Sequence, residues 1–204
     1  PDHMSFEEAA AIPYGAIMAY NLLKLVEIRP GDQVLINGAS GAIGSAAVQL
    51  AKLRGAVVTG VCSTGRMEAV RALGADHVVD YTREDFTQSG QRYDLIFDIL
   101  RKGSPAKFRG ALTPKGVLLY ASFKQRELLE MLRTRRSSGQ RVICKLVPEN
   151  QETLNAVREL IAAGKLKVGL DRRFTLEQAA EAHRYAESGQ KKGAVVLTLP
   201  NGAA

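Results

Sequence analysis

Short apolar runs alternate with segments of helical periodicity along most of the chain. Each run is almost continuously apolar, which is typical of a strand buried on both faces of a sheet. The predicted strands cover residues 33–37, 57–62, 77–81, 93–99, 116–121, 141–147 and 194–199. The predicted helices between and beyond them cover residues 42–54, 66–73, 104–112, 125–134, 150–163 and 175–187. This alternation needs crossover connections, so it predicts an α/β fold with a doubly wound, mostly parallel sheet.

The first residues predict helices ahead of this pattern. Ser5 and Glu8 have the spacing of a capping box, which places the start of a short helix. We expect Pro13 to break that helix and a second helix to run to about Val26. Residues 1–27 are therefore expected to form a helical lead-in packed on the sheet. Residues 28–204 are expected to form one sheet domain, because they contain no linker, repeat or low-complexity block.

Composition excludes several classes of protein. Of the 204 residues, 46% are hydrophobic and 24% charged, which is ordinary for a globular chain and excludes disorder. No apolar run approaches the roughly 18 residues that span a membrane, and the first residues lack the features of a signal peptide. We therefore expect a cytoplasmic protein. Cys62 and Cys144 each lie in an apolar run, which predicts buried, reduced thiols.

The basic charge of the chain does not indicate a nucleic-acid partner. Lys and Arg number 28 against 21 Asp and Glu, a net charge of +7. These residues are scattered, apart from RTRR at 133–136, and no aromatic residues interleave with that cluster as a base-stacking surface would need. We interpret the cluster as a solvated helix end.

A tract of small residues joins the first predicted strand to the next helix. Its register, Ala39-x-Gly41-x-x-Gly44, keeps the second and third glycines of the dinucleotide-binding pattern G-x-G-x-x-G of Rossmann folds. Small residues also suit a helix–sheet contact without a ligand. The position of the tract favours binding, because a helix N-terminus presents N–H groups to an anion. The backbone of Gly41, Ala42, Ile43 and Gly44 is thus predicted to hold a pyrophosphate.

The end of the second strand indicates which dinucleotide would bind. NAD sites usually place an acid there for the ribose hydroxyls, whereas this chain has Ser63, Thr64 and Arg66, with no acid before Glu68. Two hydroxyls and a guanidinium suit a phosphate, so the predicted cofactor is NADP(H). The alternative is a polar helix cap followed by a surface arginine.

Longer stretches resemble a known family. PDHMSFEEAAAIPYGA, GDQVLINGASGAIGSAAVQLAK, CSTGRMEAVRALGADHVVDYTREDF, YDLIFDIL and HRYAESGQKKGAVVLTL are similar to the cofactor-binding domain of the medium-chain dehydrogenase/reductase superfamily, in its zinc-independent quinone oxidoreductase branch. The resemblance implies that Ser63, Arg66 and Tyr81 surround the 2′-phosphate of NADP(H). It also implies that the loops containing Leu100 and Ser122 face the nicotinamide.

The same resemblance implies hydride transfer from NADPH to a quinone or an enone. Family members begin with a separate GroES-like domain that forms the substrate wall, and this chain starts where that domain ends. We therefore expect either a fragment or a chain built to stand alone, and we assign no catalytic residue. A homodimer is also implied. Three residues depart from the family pattern: Met18 and Arg101 near the nicotinamide, and Lys145 in a strand that pairs across dimers.

Rival functions remain open at this point. One is a stand-alone nucleotide-binding module without catalysis. Another is an S-adenosylmethionine-dependent methyltransferase, which would need an acid where Ser63 stands. His3, His77 and His183 have no spacing that suggests a metal, and the tract around Ser40 does not match a hydrolase elbow. Asp98 could belong to the site, because strand C-terminal ends border the ligand crevice, whereas Asp94 is simply a solvent contact at a strand start.

Overall fold

A twisted sheet of six parallel strands forms the centre of the molecule in this computed structural model, which describes residues 4–101, 103–135 and 139–199. The strands are β1 (Gln33–Asn37), β2 (Val57–Cys62), β3 (His77–Asp80), β4 (Tyr93–Asp98), β5 (Leu112–Tyr120) and β6 (Arg141–Cys144). Their order across the sheet is β3-β2-β1-β4-β5-β6. This is the order of a Rossmann fold, and the predicted fold class is confirmed. His3, considered above as a metal ligand, and Arg136, in the basic cluster, lie outside the described residues.

Helices cover both faces of this sheet. They are α1 (Phe6–Ile12), α2 (Met18–Leu23), α3 (Ala42–Leu53), α4 (Met67–Ala72), α5 (Pro105–Gly110), α6 (Gln125–Arg135), α7 (Gln151–Ala162) and α8 (Ala179–Glu187). Successive strand residues point to opposite faces, so Val34 and Ile36 pack with α2, α3 and α7, while Leu35 packs with Phe86 and Phe108 on the other face. Each face therefore has its own hydrophobic core, which explains the near-continuous apolar runs.

The N-terminal helices differ from the prediction at one point. The capping box is present: Glu8 N donates to Ser5 Oγ at 3.2 Å, and Ser5 N donates to Glu8 Oε2 at 2.9 Å. The predicted break at Pro13 is wrong, because the chain continues into α2 through a π-helical turn, Pro13–Ile17. Pro13 cannot donate an N–H to the preceding turn, and the wider π-helical turn begins at this residue.

Two strands form a separate small sheet that the hydrophobic pattern did not reveal. β7 (Leu170–Thr175) pairs in parallel with β8 (Ala194–Thr198), so the closing strand does not join the main sheet. The sequence of β7 does not show the pattern of a strand, because Arg172 and Arg173 are both exposed and the register shifts between Leu170 and Arg172. Period-2 alternation fails in such a strand.

Strand β6 is shorter than predicted. It ends at Cys144, and Lys145 and Leu146 follow it as exposed residues. The next residues turn towards α2, where Asn21 Nδ2 donates to the Pro148 carbonyl oxygen at 2.7 Å. Lys145 therefore lies just beyond the edge strand and not within it, where the sequence pattern predicts it.

Candidate functional site

The carboxyl ends of neighbouring strands border a cavity of about 320 Å³. It contains most of the residues that the sequence predicted for a cofactor site. The cavity brings together Gly41, Ala42, Ile43, Ser63, Arg66, Tyr81 and Leu100. Gly44 lies just behind it, and Ser122 is exposed in the loop after β5, away from the cavity lining. The crevice lies next to β1, where the connections that follow β1 and β4 run in opposite directions along the sheet. This is the usual ligand position in this fold.

The turn after β1 is anchored to its neighbour β2. The N–H groups of Gly38 and Ala39 donate to the Val61 carbonyl oxygen at 3.1 and 3.0 Å. Gly38 has a φ of +98°, which favours glycine, and a Cβ there would lie 2.9 Å from Leu100 Cγ. Backbone geometry and the contact with Leu100 together require glycine at this position.

Gly44 and Gly41 are glycines for different reasons. A Cβ on Gly44 would overlap the Gly38 carbonyl oxygen and lie 2.8 Å from Ala39 Cα, so α3 could not approach the turn. Gly41 has an ordinary extended backbone, φ −82° and ψ 176°, and the nearest atom to an added Cβ would be 3.7 Å away. The protein itself has no steric need for glycine at Gly41. Open space in front of this backbone fits a pyrophosphate.

Helix α3 presents its N-terminus to the same space. Gly41 is its N-cap residue and has no side chain that could accept the first N–H groups. The helix continues for 12 residues, so its dipole places a partial positive charge beside the cavity. These donors fit an anion.

The end of β2 brings a guanidinium to the glycine turn. Ser63 and Arg66 are half-buried, and Arg66 Nη1 donates to Ser40 Oγ at 3.2 Å. Thr64 is used differently, because its hydroxyl donates to Asp80 and lies 3.2 Å from the hydroxyl of Thr82. Thr64 therefore holds the loop, while Ser63 and Arg66 line the cavity.

Asp80, at the end of β3, is a buried acid that the sequence reasoning missed. Its carboxylate accepts from the Thr64 hydroxyl and from the N–H and hydroxyl of Thr82, at 3.0 and 2.7 Å. These bonds, that of Thr64 first, lower the pKa of Asp80. The result is a fixed strand end from which the next residue, Tyr81, extends exposed into the cavity.

A second cavity of about 360 Å³ adjoins the first. Tyr81 and Leu100 line both cavities. The lining of the second combines the rings of Phe86 and Phe108, which stack at 5.4 Å, with charged side chains of Glu84, Asp85 and Lys107. Together the two cavities offer both apolar and polar contacts, as ligand sites usually do.

Asp98 fixes the loop that separates the cavities. It is buried at the end of β4, accepts from Asn37 Nδ2 at 2.8 Å and from Arg101 N at 3.2 Å, and its pKa is raised because burial disfavours its charge. Arg101 has a φ of +52°, the region that glycine prefers. Arg101 therefore has a backbone cost that a glycine would not have. Asp98 acts on the site through Leu100 rather than by facing the cavity.

Residues from distant segments complete the cavity lining. Tyr14, on the π-helical turn, and Lys191, in the loop between α8 and β8, both line it, and Lys191 is half-buried. No local motif pointed to them, because their positions depend on how the small sheet packs. Met18, expected near the nicotinamide, is half-buried in α2 and does not line this cavity.

Cys62 and Cys144 are buried and free, as predicted, and burial raises the pKa of both thiols, that of Cys144 to about 11. Within residues 4–101, 103–135 and 139–199, no three His, Cys, Asp or Glu side chains are grouped as metal ligands. In the same ranges no helix has the length and apolar character needed to cross a membrane.

The sheet order, the glycine turn and the crevice define a Rossmann-type domain of the nucleotide-binding class. Residues 73–197 match the family model described as zinc-binding dehydrogenase. The chain belongs to this family, within the medium-chain dehydrogenase/reductase superfamily, and corresponds to the C-terminal cofactor domain of its quinone oxidoreductases. The resemblance seen in the sequence is confirmed.

Individual relatives are similar over nearly the whole chain. The 2-methylene-furan-3-one reductase of Solanum lycopersicum and the chloroplastic NADPH-dependent alkenal/one oxidoreductase of Arabidopsis thaliana are each 28% identical over 212 residues. Each alignment covers 97% of this chain and 48% of the relative. The solved quinone oxidoreductase from Coxiella burnetii superposes with a TM-score of 0.84 at 27% identity, covering 97% of this chain and 62% of that one. The chain thus spans about half the length of these curated relatives.

The two glycines of the turn give a matched pair of variants. Gly41→Val fills the space at the helix N-terminus, so we expect it to abolish binding of both NADPH and NADH while the urea midpoint stays near that of the wild type. Gly44→Ala should lower stability by about 2 kcal/mol or more, because the new Cβ meets backbone. Fluorescence titration and urea unfolding measure the two effects. Normal NADPH binding by Gly41→Val would show that the pyrophosphate lies elsewhere.

Asp98 predicts a pH effect on stability. Because its folded pKa is raised, its favourable contribution is present below the unfolded pKa of about 3.9 and is lost as pH rises through the folded pKa. Asp98→Asn keeps an acceptor for Asn37 but cannot ionise. The stability of the variant relative to wild type should therefore rise from about pH 4 upward, by about 1.4 kcal/mol per unit of pKa shift. Urea midpoints across pH 4 to about 8 measure it, and a pH-independent difference would contradict the assignment.

Proposed function

We propose that this chain is the NADP(H)-binding domain of an oxidoreductase that transfers hydride from NADPH to a quinone or an enone. The observation that carries the proposal is the single cavity in which Gly41, at the N-terminus of α3, lies beside Ser63 and Arg66. No acid occurs among the described residues that line this cavity, whereas two cations, Arg66 and Lys191, do. Such a charge distribution favours a 2′-phosphate over free ribose hydroxyls.

Each part of the dinucleotide has a proposed position. The backbone from Gly41 to Gly44 holds the pyrophosphate, and Ser63, Arg66 and Tyr81 surround the 2′-phosphate. The adenine lies beside Tyr81, towards the second cavity. The loops after β4 and β5, with Ser122 in the latter, face the nicotinamide.

The chemistry belongs to the cofactor, which supplies a hydride when bound. The residues of this chain bind and orient it, and Asp98 holds the loop that carries Leu100. The names of the tomato and Arabidopsis relatives describe reduction of enone-type substrates, and that of the Coxiella burnetii protein a quinone oxidoreductase. These names, with the family, support a small-molecule quinone or enone as the acceptor.

The domain boundaries, the oligomeric state and the location of the chain are also proposals. We propose residues 28–204 as the dinucleotide-binding domain, with residues 1–27 as its helical lead-in, although β7 and β8 form a sheet of their own. A homodimer and a cytoplasmic location are likewise predictions. The Arabidopsis relative is named as chloroplastic.

Cofactor selectivity tests the 2′-phosphate site. Arg66→Ala should weaken NADPH by about 1–3 kcal/mol, the range for a lost charge-assisted hydrogen bond, and hardly change NADH. Arg71→Ala is the matched control, since Arg71 is exposed on α4 and pairs with Glu68. Fluorescence titration of the wild type and both variants with both cofactors measures the six affinities. Equal losses for NADPH and NADH in Arg66→Ala would show that Arg66 does not face a 2′-phosphate.

Turnover separates an enzyme from a binding module without catalysis. Hydride transfer needs the nicotinamide and the acceptor at near-attack distance in a water-poor cleft. The 204-residue chain spans only part of its relatives, so we expect it to bind NADPH but to reduce simple quinones slowly or not at all. Fusing the N-terminal domain of a relative ahead of Pro1 should raise NADPH oxidation by orders of magnitude. Rapid turnover by the unfused chain would mean that it contains its own acceptor site.

A further inference from the structure

The loop between α8 and β8, residues 188–193, reaches the cofactor cavity from the small sheet. Gly189 and Lys191 line the cavity, as Arg66 does, and Lys191 is half-buried while its neighbour Lys192 is exposed. A lysine side chain has many rotamers, and ordering it for a ligand costs about 1–2 kcal/mol. The loop backbone must therefore be held in place if Lys191 is to act strongly on a bound anion.

Asp171, on β7, holds this loop at its end. Its Oδ2 atom accepts from the Tyr185 hydroxyl at 2.8 Å and from Lys192 N at 2.6 Å. The first bond ties the carboxylate to α8, and the second ties it to the residue directly after Lys191. One half-buried carboxylate thus links three elements: β7, α8 and the loop.

Tyr185 is itself fixed by packing. The Arg172 guanidinium lies over its ring at 4.1 Å from the centroid, and the ring of Phe174 lies 6.0 Å away. Its pKa is raised chiefly because its hydroxyl donates to Asp171, and Arg66 is among the charges that act on it. The support for the loop is therefore itself held by side chains of the small sheet.

Backbone contacts hold the far end of the loop. A Cβ on Gly193 would overlap the Gly169 carbonyl oxygen, which also accepts from Ala194 N at 2.7 Å. Gly189 turns the near end with a φ of +71°. Between these points the loop backbone is held at both ends, and the side chain of Lys191 lines the cavity.

We propose that Asp171 is a positioning residue for cofactor selectivity: through Tyr185 and the Lys192 N–H it holds the loop so that the Lys191 ammonium faces the 2′-phosphate of NADPH. This inference rests on the proposed function and adds to it a determinant outside the main sheet. Asp171 does not touch the cofactor, and its effect passes through Lys191.

A double-mutant cycle tests this route. Lys191→Gln should weaken NADPH about tenfold and leave NADH nearly unchanged, as for one charge-assisted bond to the 2′-phosphate. Asp171→Ala should weaken NADPH about fivefold or more, and Asp171→Asn, which keeps an acceptor oxygen, should restore most of the affinity. In the Lys191→Gln background, Asp171→Ala should cause little additional loss. Tyr185→Phe, which keeps the ring, should act in the same direction if Asp171→Ala does not fold.

Controls separate this inference from the proposed function. Lys165→Gln, exposed after α7 and outside the cavity, should change neither affinity. Equal losses of NADPH and NADH, or an undiminished effect of Asp171→Ala without Lys191, would mean a merely structural role and overturn the inference. If the wild type does not prefer NADPH, the proposed function fails as well. If Arg66→Ala removes that preference while Asp171→Ala and Tyr185→Phe leave it intact, only the inference fails.

Discussion

The close contact between the start of α3 and the turn after β1 is the constraint on which the rest of the site depends. The two backbone segments are so close there that a single Cβ on Gly44 would overlap the Gly38 carbonyl oxygen. This contact brings the N–H groups of the helix to the end of the sheet, beside the ends of β2 and β4. A Cβ on Gly38 would lie 2.9 Å from Leu100 Cγ, so the same turn also determines how closely Leu100, which lines both cavities, can approach.

The cations and the acids near the crevice have different environments. The cations Arg66 and Lys191 line the cavity, whereas the acids Asp80 and Asp98 are buried at strand ends and accept bonds from neighbouring side chains and backbone. The two acids respond oppositely: hydrogen bonds from hydroxyl groups dominate at Asp80 and lower its pKa, while burial dominates at Asp98 and raises it. The lining of the first cavity is consequently cationic, although Asp80 and Asp98 are buried nearby.

The sequence predicted the parts of the molecule that local rules determine. Apolar runs gave the six strands of the main sheet, and the spacing of Gly41 and Gly44 gave the helix terminus. It did not reveal β7, because two exposed arginines and a register shift remove the alternation. Nor did it reveal Lys191 or Asp80, whose roles depend on contacts between segments far apart in the chain. Short-range patterns could not report such contacts.

The π-helical turn at Pro13–Ile17 changes how the first helical segment can be used. A wider turn contains one residue more than an α-helical turn, and one residue corresponds to a rotation of about 100° around the helix axis. The rotation lets α1 pack on the small sheet of β7 and β8 while α2, in the same continuous segment, packs on α3. Deleting one residue here would turn α1 to a different side. The number of residues in this segment thus determines how α1, on the small sheet, is oriented relative to α2, on α3.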